Sequence, residues 1–243
     1  MTLLCIETST AVCSAAVCRD GQLLKQLINR EGSNHARLLP LYIDELLAYV
    51  REQGLMIDAV ALSEGPGSYT GLRIGTSMAK GLCYGLNVPL IPVPTLEVLC
   101  EAAKEKFAKS QEPRAKSLLV PMIDARRMEV YITVSGEGLA VSGAKAVVVE
   151  NEESVLCQCN GLYSDSEAVY YFGDGAEKCT KVLTKPNWHF VQGIVPEAQY
   201  VGMIGDRLAV SGEGRVESRE LAYYEPFYLK EFIAAQSHVK GLK

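Results

Sequence analysis

The chain lacks several features on which membrane proteins and nucleic-acid-binding proteins depend. No stretch of the 243 residues approaches the roughly 18 consecutive apolar residues of a membrane span. The amino-terminal Met-Thr-Leu-Leu-Cys-Ile-Glu has no basic region of the kind that begins a signal peptide. The net charge is −5, so this chain alone is not expected to grip the phosphate backbone of RNA. We therefore expect a cytoplasmic protein that makes no membrane contact and meets RNA only through a partner.

Histidine is scarce, and the cysteines do not form a metal motif. The sequence has three histidines and eight cysteines. Cys157 and Cys159 are separated by one residue, and no second pair follows at the spacing typical of zinc sites. Cys179 and His189 are the remaining candidates as ligands. We predict no metal site and interpret the scattered cysteines as buried thiols of a reducing compartment.

Glycines are concentrated in residues 63–75, Ser-Glu-Gly-Pro-Gly-Ser-Tyr-Thr-Gly-Leu-Arg-Ile-Gly. This stretch follows an apolar run and precedes a helical pattern, so it predicts a strand-to-helix turn. Thr70 takes the place of the last glycine in Gly-x-Gly-x-x-Gly, and no Gly-Lys-Ser/Thr follows, so neither a Rossmann site nor a P-loop is predicted. Free N–H groups in such a turn could hold an anion, although Glu64 would repel a phosphate. A tight turn without a ligand explains the stretch equally well.

The first half of the chain predicts a mixed sheet. Strands are expected at residues 3–6, 12–18 and 23–28, with Arg19-Asp-Gly21 as a hairpin turn. The elements that follow are helix 36–53, strand 57–62, helix 70–86, strand 88–93 and helix 95–107. A three-strand meander that continues into right-handed crossovers gives one mixed sheet with helices on its faces.

The second half begins after a predicted linker at residues 104–117, which is charged and contains Pro113. Strands are expected at residues 118–124, 129–134 and 170–172. A turn and the start of a helix are expected at residues 173–176, and a further helix extends from Pro196 to Ser211.

Residues 65–75 resemble the signature of the bacterial TsaB family, formerly YeaZ. Four further stretches match that family: Ile6-Glu-Thr-Ser-Thr10, His35-Ala-Arg-Leu-Leu-Pro40, Pro121-Met-Ile-Asp-Ala-Arg126 with Glu129-Val-Tyr131, and Pro226-Phe-Tyr-Leu-Lys230. The similarity is dense up to residue 131 and thin from there to Pro226.

The resemblance implies an α/β fold of the actin-like ATPase type (ASKHA, ribonuclease H-like), with two similar lobes that are each a mixed sheet flanked by helices. We expect a first lobe at residues 1–106, a second lobe at 117–220 and a carboxyl-terminal segment at 221–243 that returns to the first lobe. Actin-like ATPases hold nucleotide between the lobes with an acid and hydroxyls of the first hairpin. Glu7, Thr8, Ser9 and Thr10 stand in that place. The family more often has Asp at the position of Glu7. The hairpin of an actin-like ATPase usually also has a glycine that lets phosphate approach the backbone, and none follows Ser9 here. Both differences favour a nucleotide cleft that is vestigial.

The family takes part in making threonylcarbamoyladenosine in tRNA. The resemblance implies a non-catalytic subunit without a cofactor that supports the transferase TsaD, with the ATPase TsaE as third partner. Whether the free chain is a monomer or a homodimer stays open. TsaD carries a His-x-x-x-His metal pair after the strand corresponding to residues 88–93. Thr95 and Leu99 stand where those histidines would fall, and leucine cannot bind a metal. His35 recurs in the family motif and is expected to be solvated or to cap its helix.

The resemblance places the partner surface on helices 36–53 and 70–86. Small residues recur every four positions on two faces of the second helix, and each interior glycine costs about 1 kcal/mol relative to alanine, so something must approach that helix closely. Gly75 and Ala79 are predicted to face outward, with Gly81 and Gly85 as the comparison. The predicted interface residues are Leu38, Tyr42, Tyr49, Gly71, Gly75, Met78, Ala79 and Leu82.

Two other classes of function stay open. One is a free-standing enzyme of the actin-like fold, either a small-molecule kinase or a metallopeptidase-like protein. Asp124, Arg126 and Glu129 could supply it with an acid, a clamp and a base, although an ion pair within a hairpin explains these three residues as well. The other is a homodimeric interaction protein that uses the glycine-rich helix on itself.

Overall fold

The computed structural model describes residues 1–32, 34–110, 117–136, 139–140, 142–158, 168–212, 214–217 and 219–230. These residues form two β-sheets with helices packed against them, which is the α/β architecture of the actin-like fold. The described helices are α1 (His35–Glu52), α2 (Tyr69–Leu86), α3 (Thr95–Ser110), α4 (Glu153–Leu156) and α5 (Ala198–Ser211). None of them has both the length and the apolar character that crossing a membrane requires.

The first sheet has the strand order β3-β2-β1-β4-β5. Its strands are β1 (Thr2–Glu7), β2 (Cys13–Arg19), β3 (Gln22–Asn29), β4 (Ala59–Gly65) and β5 (Leu90–Pro94). The first three pair antiparallel, and β4 and β5 continue parallel to β1. Asp20 and Gly21 both have positive φ, of 49° and 73°, as a two-residue hairpin turn requires. The predicted meander and mixed sheet are confirmed.

Strand β1 is buried on both faces, and its side chains alternate between two layers of helices. Leu4 and Ile6 belong to the apolar cluster formed with α1 and α2, whereas Leu3 and Cys5 belong to the cluster formed with α3 and α5. This alternation follows from the two-residue period of a strand. The first sheet is therefore the middle layer of three, with α1 and α2 outermost on one side.

The second sheet has the strand order β10-β7-β6-β11-β12, with the short β8 pairing with β6 and β9. Its strands are β6 (Ser117–Asp124), β7 (Glu129–Ile132), β8 (Ser135–Gly136), β9 (Leu139–Ala140), β10 (Lys145–Val148), β11 (Ala168–Phe172) and β12 (Trp188–Val191). Leu119 and Ile123 of β6 join the cluster that contains α3, while Val120 and Met122 belong to the second sheet's own core. Helix α3 is thus packed between the two sheets and holds them together.

Three of the expected segments differ from their predictions. Residues 104–110, predicted as part of a linker, continue helix α3, because Phe107 is buried in the core between the sheets. The turn at Gly173 leads into a 3-10 turn at Glu177–Cys179 instead of an α-helix. Helix α5, which was expected with the second lobe, packs on the first sheet. Gly202 permits this, since a Cβ there would lie 2.3 Å from Cys18 Sγ.

The tail returns along the first lobe. Val216 extends the first sheet through two hydrogen bonds with Leu90, of 2.9 and 3.1 Å. Leu221 is buried in the cluster beneath α1 and α2, and the N–H of Phe227 donates to the carbonyl of Glu64 at 2.8 Å. Residues 231–243 of the expected segment lie outside the described residues. The lobe boundaries at residues 106, 117 and 220 stay a prediction.

Candidate partner groove and cleft between the sheets

An apolar groove of about 760 Å³ lies between α1 and α2 on the outer side of the first lobe. Helix α1 directs Leu39, Ile43 and Leu46 into the core, which leaves Ala36 and Pro40 on the groove side. Helix α2 supplies most of the opposite wall, with Ile74, Met78, Gly81 and Leu82. The groove is open to solvent and mostly apolar, as expected for a surface that binds protein.

Tyr69 and Arg73 line one end of the groove. The Arg73 guanidinium carbon lies 4.1 Å from the centre of the Tyr69 ring, which is within cation–π range. The two residues are four positions apart on α2, the spacing at which helical side chains meet. Neither was among the residues predicted from sequence, although their spacing could have indicated the pair.

The structure divides the eight predicted interface residues into three groups. Met78 and Leu82 line the groove. Leu38, Tyr42 and Tyr49 of α1 are half-buried and pack at the margin of the cluster beneath α1 and α2. The remaining three, Gly71, Gly75 and Ala79, are buried on the inner face of α2. The expectation that Gly75 and Ala79 face outward is therefore wrong.

The inner glycines are buried because α2 lies directly on the first hairpin. A Cβ at Gly71 would lie 2.1 Å from the backbone oxygen of Thr8, and one at Gly75 would lie 2.3 Å from Thr8 Oγ1. The Thr8 hydroxyl donates to the carbonyl of Gly71 at 2.8 Å. In contrast, a Cβ at Gly81 or Gly85 would meet no atom within 4 Å. The small residues that face outward are thus Gly81 and Gly85.

The turn before α2 uses its N–H groups within the chain. The N–H of Ser68 donates to the carbonyl of Ser9 at 2.6 Å, and that of Gly71 donates to Ser68 Oγ at 3.3 Å. The N–H of Gly65 donates to Thr95 Oγ1 at 3.1 Å. These three groups are therefore not available to an anion, which favours the interpretation of this stretch as a structural turn.

Glu7 lies at the end of β1 and is completely buried. Its Oε1 accepts a hydrogen bond from the N–H of Ser9 at 2.6 Å, whereas Oε2 has no hydrogen-bond partner among the described residues. Burial raises the pKa of this carboxyl above its usual value of 4.5, and the hydrogen bonds from the N–H and the hydroxyl of Ser9 oppose that shift. A buried acid of raised pKa is held in the protonated form more readily than a solvated one.

A polar cleft of about 420 Å³ separates the first hairpin from the second sheet. Ser9 and Thr10 line one side, and Asp124 and Asp174 line the other. The N–H of Asp124 donates to Asp174 Oδ1 at 3.0 Å, and burial raises the pKa of Asp174. Two carboxyl groups in the lining would favour a cation or a hydrogen-bond donor over a bare phosphate.

The group Asp124, Arg126 and Glu129 does not form a single constellation. Asp124 forms an ion pair with Lys178, and Glu129 forms one with Lys230. The N–H of Arg126 donates to Asp124 Oδ1 at 3.1 Å. The two acids are thus paired to separate lysines, and the ion pair expected within the hairpin is not formed.

The residues at the positions where TsaD was expected to carry its metal ligands have structural roles here. Thr95 Oγ1 is 2.7 Å from Ser63 Oγ, and Leu99 is fully buried. His35 is buried, with Nε2 at 2.9 Å from the carbonyl oxygen of Thr10, so the expectation of a solvated or capping histidine is wrong. No group of three metal-binding side chains occurs within the part of the chain that the structure describes. Cys159, one half of the Cys-x-Cys pair, lies outside that part.

Comparison with known proteins identifies a family. The family model described as "TsaD: tRNA N6-adenosine threonylcarbamoyltransferase" matches residues 26–198. The chain is 38% identical over 138 residues to the tRNA threonylcarbamoyladenosine biosynthesis protein TsaB of Haemophilus influenzae, an alignment that covers 55% of this chain and 53% of that protein. It is 35% identical to the protein of the same name from Escherichia coli, over 54% of this chain and 53% of the relative. The chain thus spans about half the length of the relatives it matches.

A solved structure supports the fold. A Pseudomonas aeruginosa protein described as uncharacterized, with similarity to peptidase YEAZ, superposes with a TM-score of 0.74. The superposition covers 94% of this chain and 99% of that chain, at 24% sequence identity. At that level of identity the likeness concerns the fold.

Proposed function

This chain belongs to the TsaD family and, within it, to the TsaB (YeaZ) proteins, and we propose on that basis that it is a non-catalytic subunit in the synthesis of N6-threonylcarbamoyladenosine in tRNA. In this role it binds a TsaD-type transferase and supports its activity. A TsaE-type ATPase is the third component. The net charge of −5 supports an arrangement in which the partners, and not this chain, contact the tRNA.

The observation that carries the proposal is the groove between α1 and α2. Its apolar walls are partly exposed, and Gly81 opens onto it without a neighbouring atom within 4 Å of its Cβ position. A helix or helix pair of the transferase can therefore approach the α2 backbone closely and bury Met78 and Leu82. When the transferase is absent, a second copy of this chain would occupy the same groove.

The non-catalytic role is supported by the surroundings of the first hairpin. A Cβ at Gly67 would lie 2.4 Å from the carbonyl oxygen of Ser9, so the glycine turn is in direct contact with the hairpin. Glu7 is completely buried beneath this contact. Both backbone groups of Ser9 are thus used within the chain, since its carbonyl accepts from the N–H of Ser68 and its N–H donates to Glu7.

The alternative is a free-standing enzyme of the actin-like fold. The observation in its favour is the polar cleft, which Asp124 and Asp174 line together with Ser9 and Thr10. An acid pair of this kind could bind a divalent cation with a nucleotide. This alternative predicts that the isolated chain hydrolyses ATP.

The test is reconstitution from purified components of one organism. Transferase, ATPase and tRNA with their small-molecule substrates are incubated with and without this chain, and modified adenosine is measured by mass spectrometry. We expect modification only when the chain is present, and ATP hydrolysis by the chain alone no faster than in buffer. Hydrolysis by the isolated chain that is abolished by Glu7→Ala would instead support the free-standing enzyme.

A further inference from the structure

Residues 225–230, here called the strap, cross from the first lobe to the second. At its beginning, the N–H of Phe227 donates to the carbonyl of Glu64 at 2.8 Å. Gly65 has a φ of +122°, and a Cβ there would lie 2.5 Å from the carbonyl oxygen of Phe227. Because only glycine permits both this φ and this approach, the turn before α2 is built to receive the strap.

The middle of the strap reaches the end of the partner groove. The Tyr228 ring lies 5.2 Å from the Tyr69 ring, and its hydroxyl accepts a hydrogen bond from Arg73 Nε at 3.2 Å. Tyr69 and Arg73 are the same two residues that line the end of the groove. Any partner that rearranges these two side chains therefore acts on the strap.

The end of the strap is attached to the second lobe. Lys230 forms an ion pair with Glu129, the first residue of β7. The Glu129 side chain is only 20% exposed and that of Lys230 is 46% exposed, so this pair is less screened by solvent than a fully exposed one. Phe227, Tyr228, Leu229 and Lys230 also line the cleft between the sheets. One short segment thus touches the groove, the cleft and the second sheet.

We propose that the strap couples the partner groove to the second lobe. Tyr228 is a positioning residue that holds Arg73 and Tyr69 in the groove wall, and the ion pair between Lys230 and Glu129 fixes the strap from the other side. Binding of a partner in the groove would change the strength of the ion pair between Lys230 and Glu129. A substitution at Glu129 would in turn change the affinity of the groove for the partner, since coupling between two sites is reciprocal. The part of the inference that concerns a partner rests on the function proposed above.

The first arm of the test needs no partner. Amide hydrogen exchange of Phe227 is measured in the wild-type chain, in Glu129→Gln and in Arg73→Gln, with Glu105→Gln as the control. Glu105 likewise forms an ion pair with a lysine, Lys109, but on α3. We expect each of the two strap variants to raise exchange of Phe227 about two- to fivefold, the range given by loss of a partly exposed ion pair, and the control to leave it unchanged.

The double variant Arg73→Gln/Glu129→Gln then decides whether the two ends act through one element. An increase in the exchange rate of Phe227 that is smaller in the double variant than the product of the two single increases would support the coupling, because both substitutions release the same strap. Independent effects, or wild-type exchange of Phe227 in Glu129→Gln, would overturn it.

The second arm measures the affinity of a TsaD-type transferase for the wild-type chain and for Glu129→Gln, whose substitution lies outside the groove. A loss of about two- to fivefold, with Glu105→Gln unchanged, supports the coupling. Equal affinity of both variants and the wild type overturns it. If the transferase does not bind even the wild-type chain, the proposed function fails, and the exchange measurements alone decide whether the strap joins the groove to the second lobe.

Discussion

Replacing Gly71 by alanine tests the packing of α2 on the first hairpin. The added methyl group would lie 2.1 Å from the backbone oxygen of Thr8, whereas ordinary contacts of a Cβ begin at 3.4 Å. The hairpin carbonyl belongs to the backbone and cannot rotate away as a flexible side chain could. Helix α2 would therefore have to move by more than an ångström or leave the hairpin strained.

The expected cost follows from two terms. Overpacking in a tightly packed core typically costs about 1–3 kcal/mol, and displacement of α2 also weakens the hydrogen bond from Thr8 Oγ1 to the Gly71 carbonyl, worth about 1 kcal/mol. The better helix propensity of alanine returns at most about 1 kcal/mol. We expect a net loss of roughly 1–3 kcal/mol and a fall in Tm of about 2–10 °C.

Gly81→Ala is the matched control in the same helix. Its methyl group would meet no atom within 4 Å, so only the gain in helix propensity acts, and we expect an increase of about 0.5–1 kcal/mol in the free energy of unfolding. Urea and thermal denaturation of both variants, followed by circular dichroism, measure these effects. The reasoning would be refuted if Gly71→Ala were as stable as Gly81→Ala.

Three further outcomes are expected. Thr95→Val, which keeps the shape of the side chain but removes the acceptor for the N–H of Gly65, should destabilise the chain by about 1–3 kcal/mol in urea denaturation; an unchanged midpoint would contradict this role. Because burial raises the pKa of Glu7, the folded state retains this proton longer than the unfolded state, and the stability of the wild type should fall as the pH rises above the usual value of 4.5. Glu7→Gln has no carboxyl group to titrate and should not lose stability in this way, so its stability relative to the wild type should increase with pH. Parallel stability–pH profiles of the two proteins would contradict this prediction. Asn87 ends α2 in the left-handed conformation, with φ 54° and ψ 49°, so Asn87→Gly should be neutral or slightly stabilising, by up to about 0.5 kcal/mol, whereas a clear loss of thermal stability would count against this account.

The first sheet could be predicted from sequence because its signals are local. Alternating apolar residues and the Asp20-Gly21 turn define the hairpin of β2 and β3, and long amphipathic patterns define α1 and α2. The strands of residues 135–148 and 188–191 were missed. They are two to four residues long, too short for a periodic pattern to be recognised.

The orientation of α2 could not be predicted because both small-residue stripes look alike in sequence. Gly71 and Gly75 differ from Gly81 and Gly85 only in what lies beside them, and that neighbour is Thr8, more than sixty residues earlier. The contact of Tyr228 with Tyr69 and Arg73 likewise joins distant parts of the chain. The local sequence pattern predicts where a helix or strand forms, but the face that it buries depends on tertiary contacts.

The measurement that tests the central claim most directly is the affinity of a TsaD-type transferase for Gly81→Arg. Gly81 opens onto the groove with free space around it, so an arginine there should leave the fold intact and place a charge inside the apolar contact. Gly143→Arg is the control, since Gly143 also has open space around its Cβ position but lies beside the second sheet. We expect Gly81→Arg to melt like the wild type and to bind the transferase at least about 100-fold more weakly, with Gly143→Arg unchanged. Wild-type affinity of a folded Gly81→Arg variant would contradict docking through this groove.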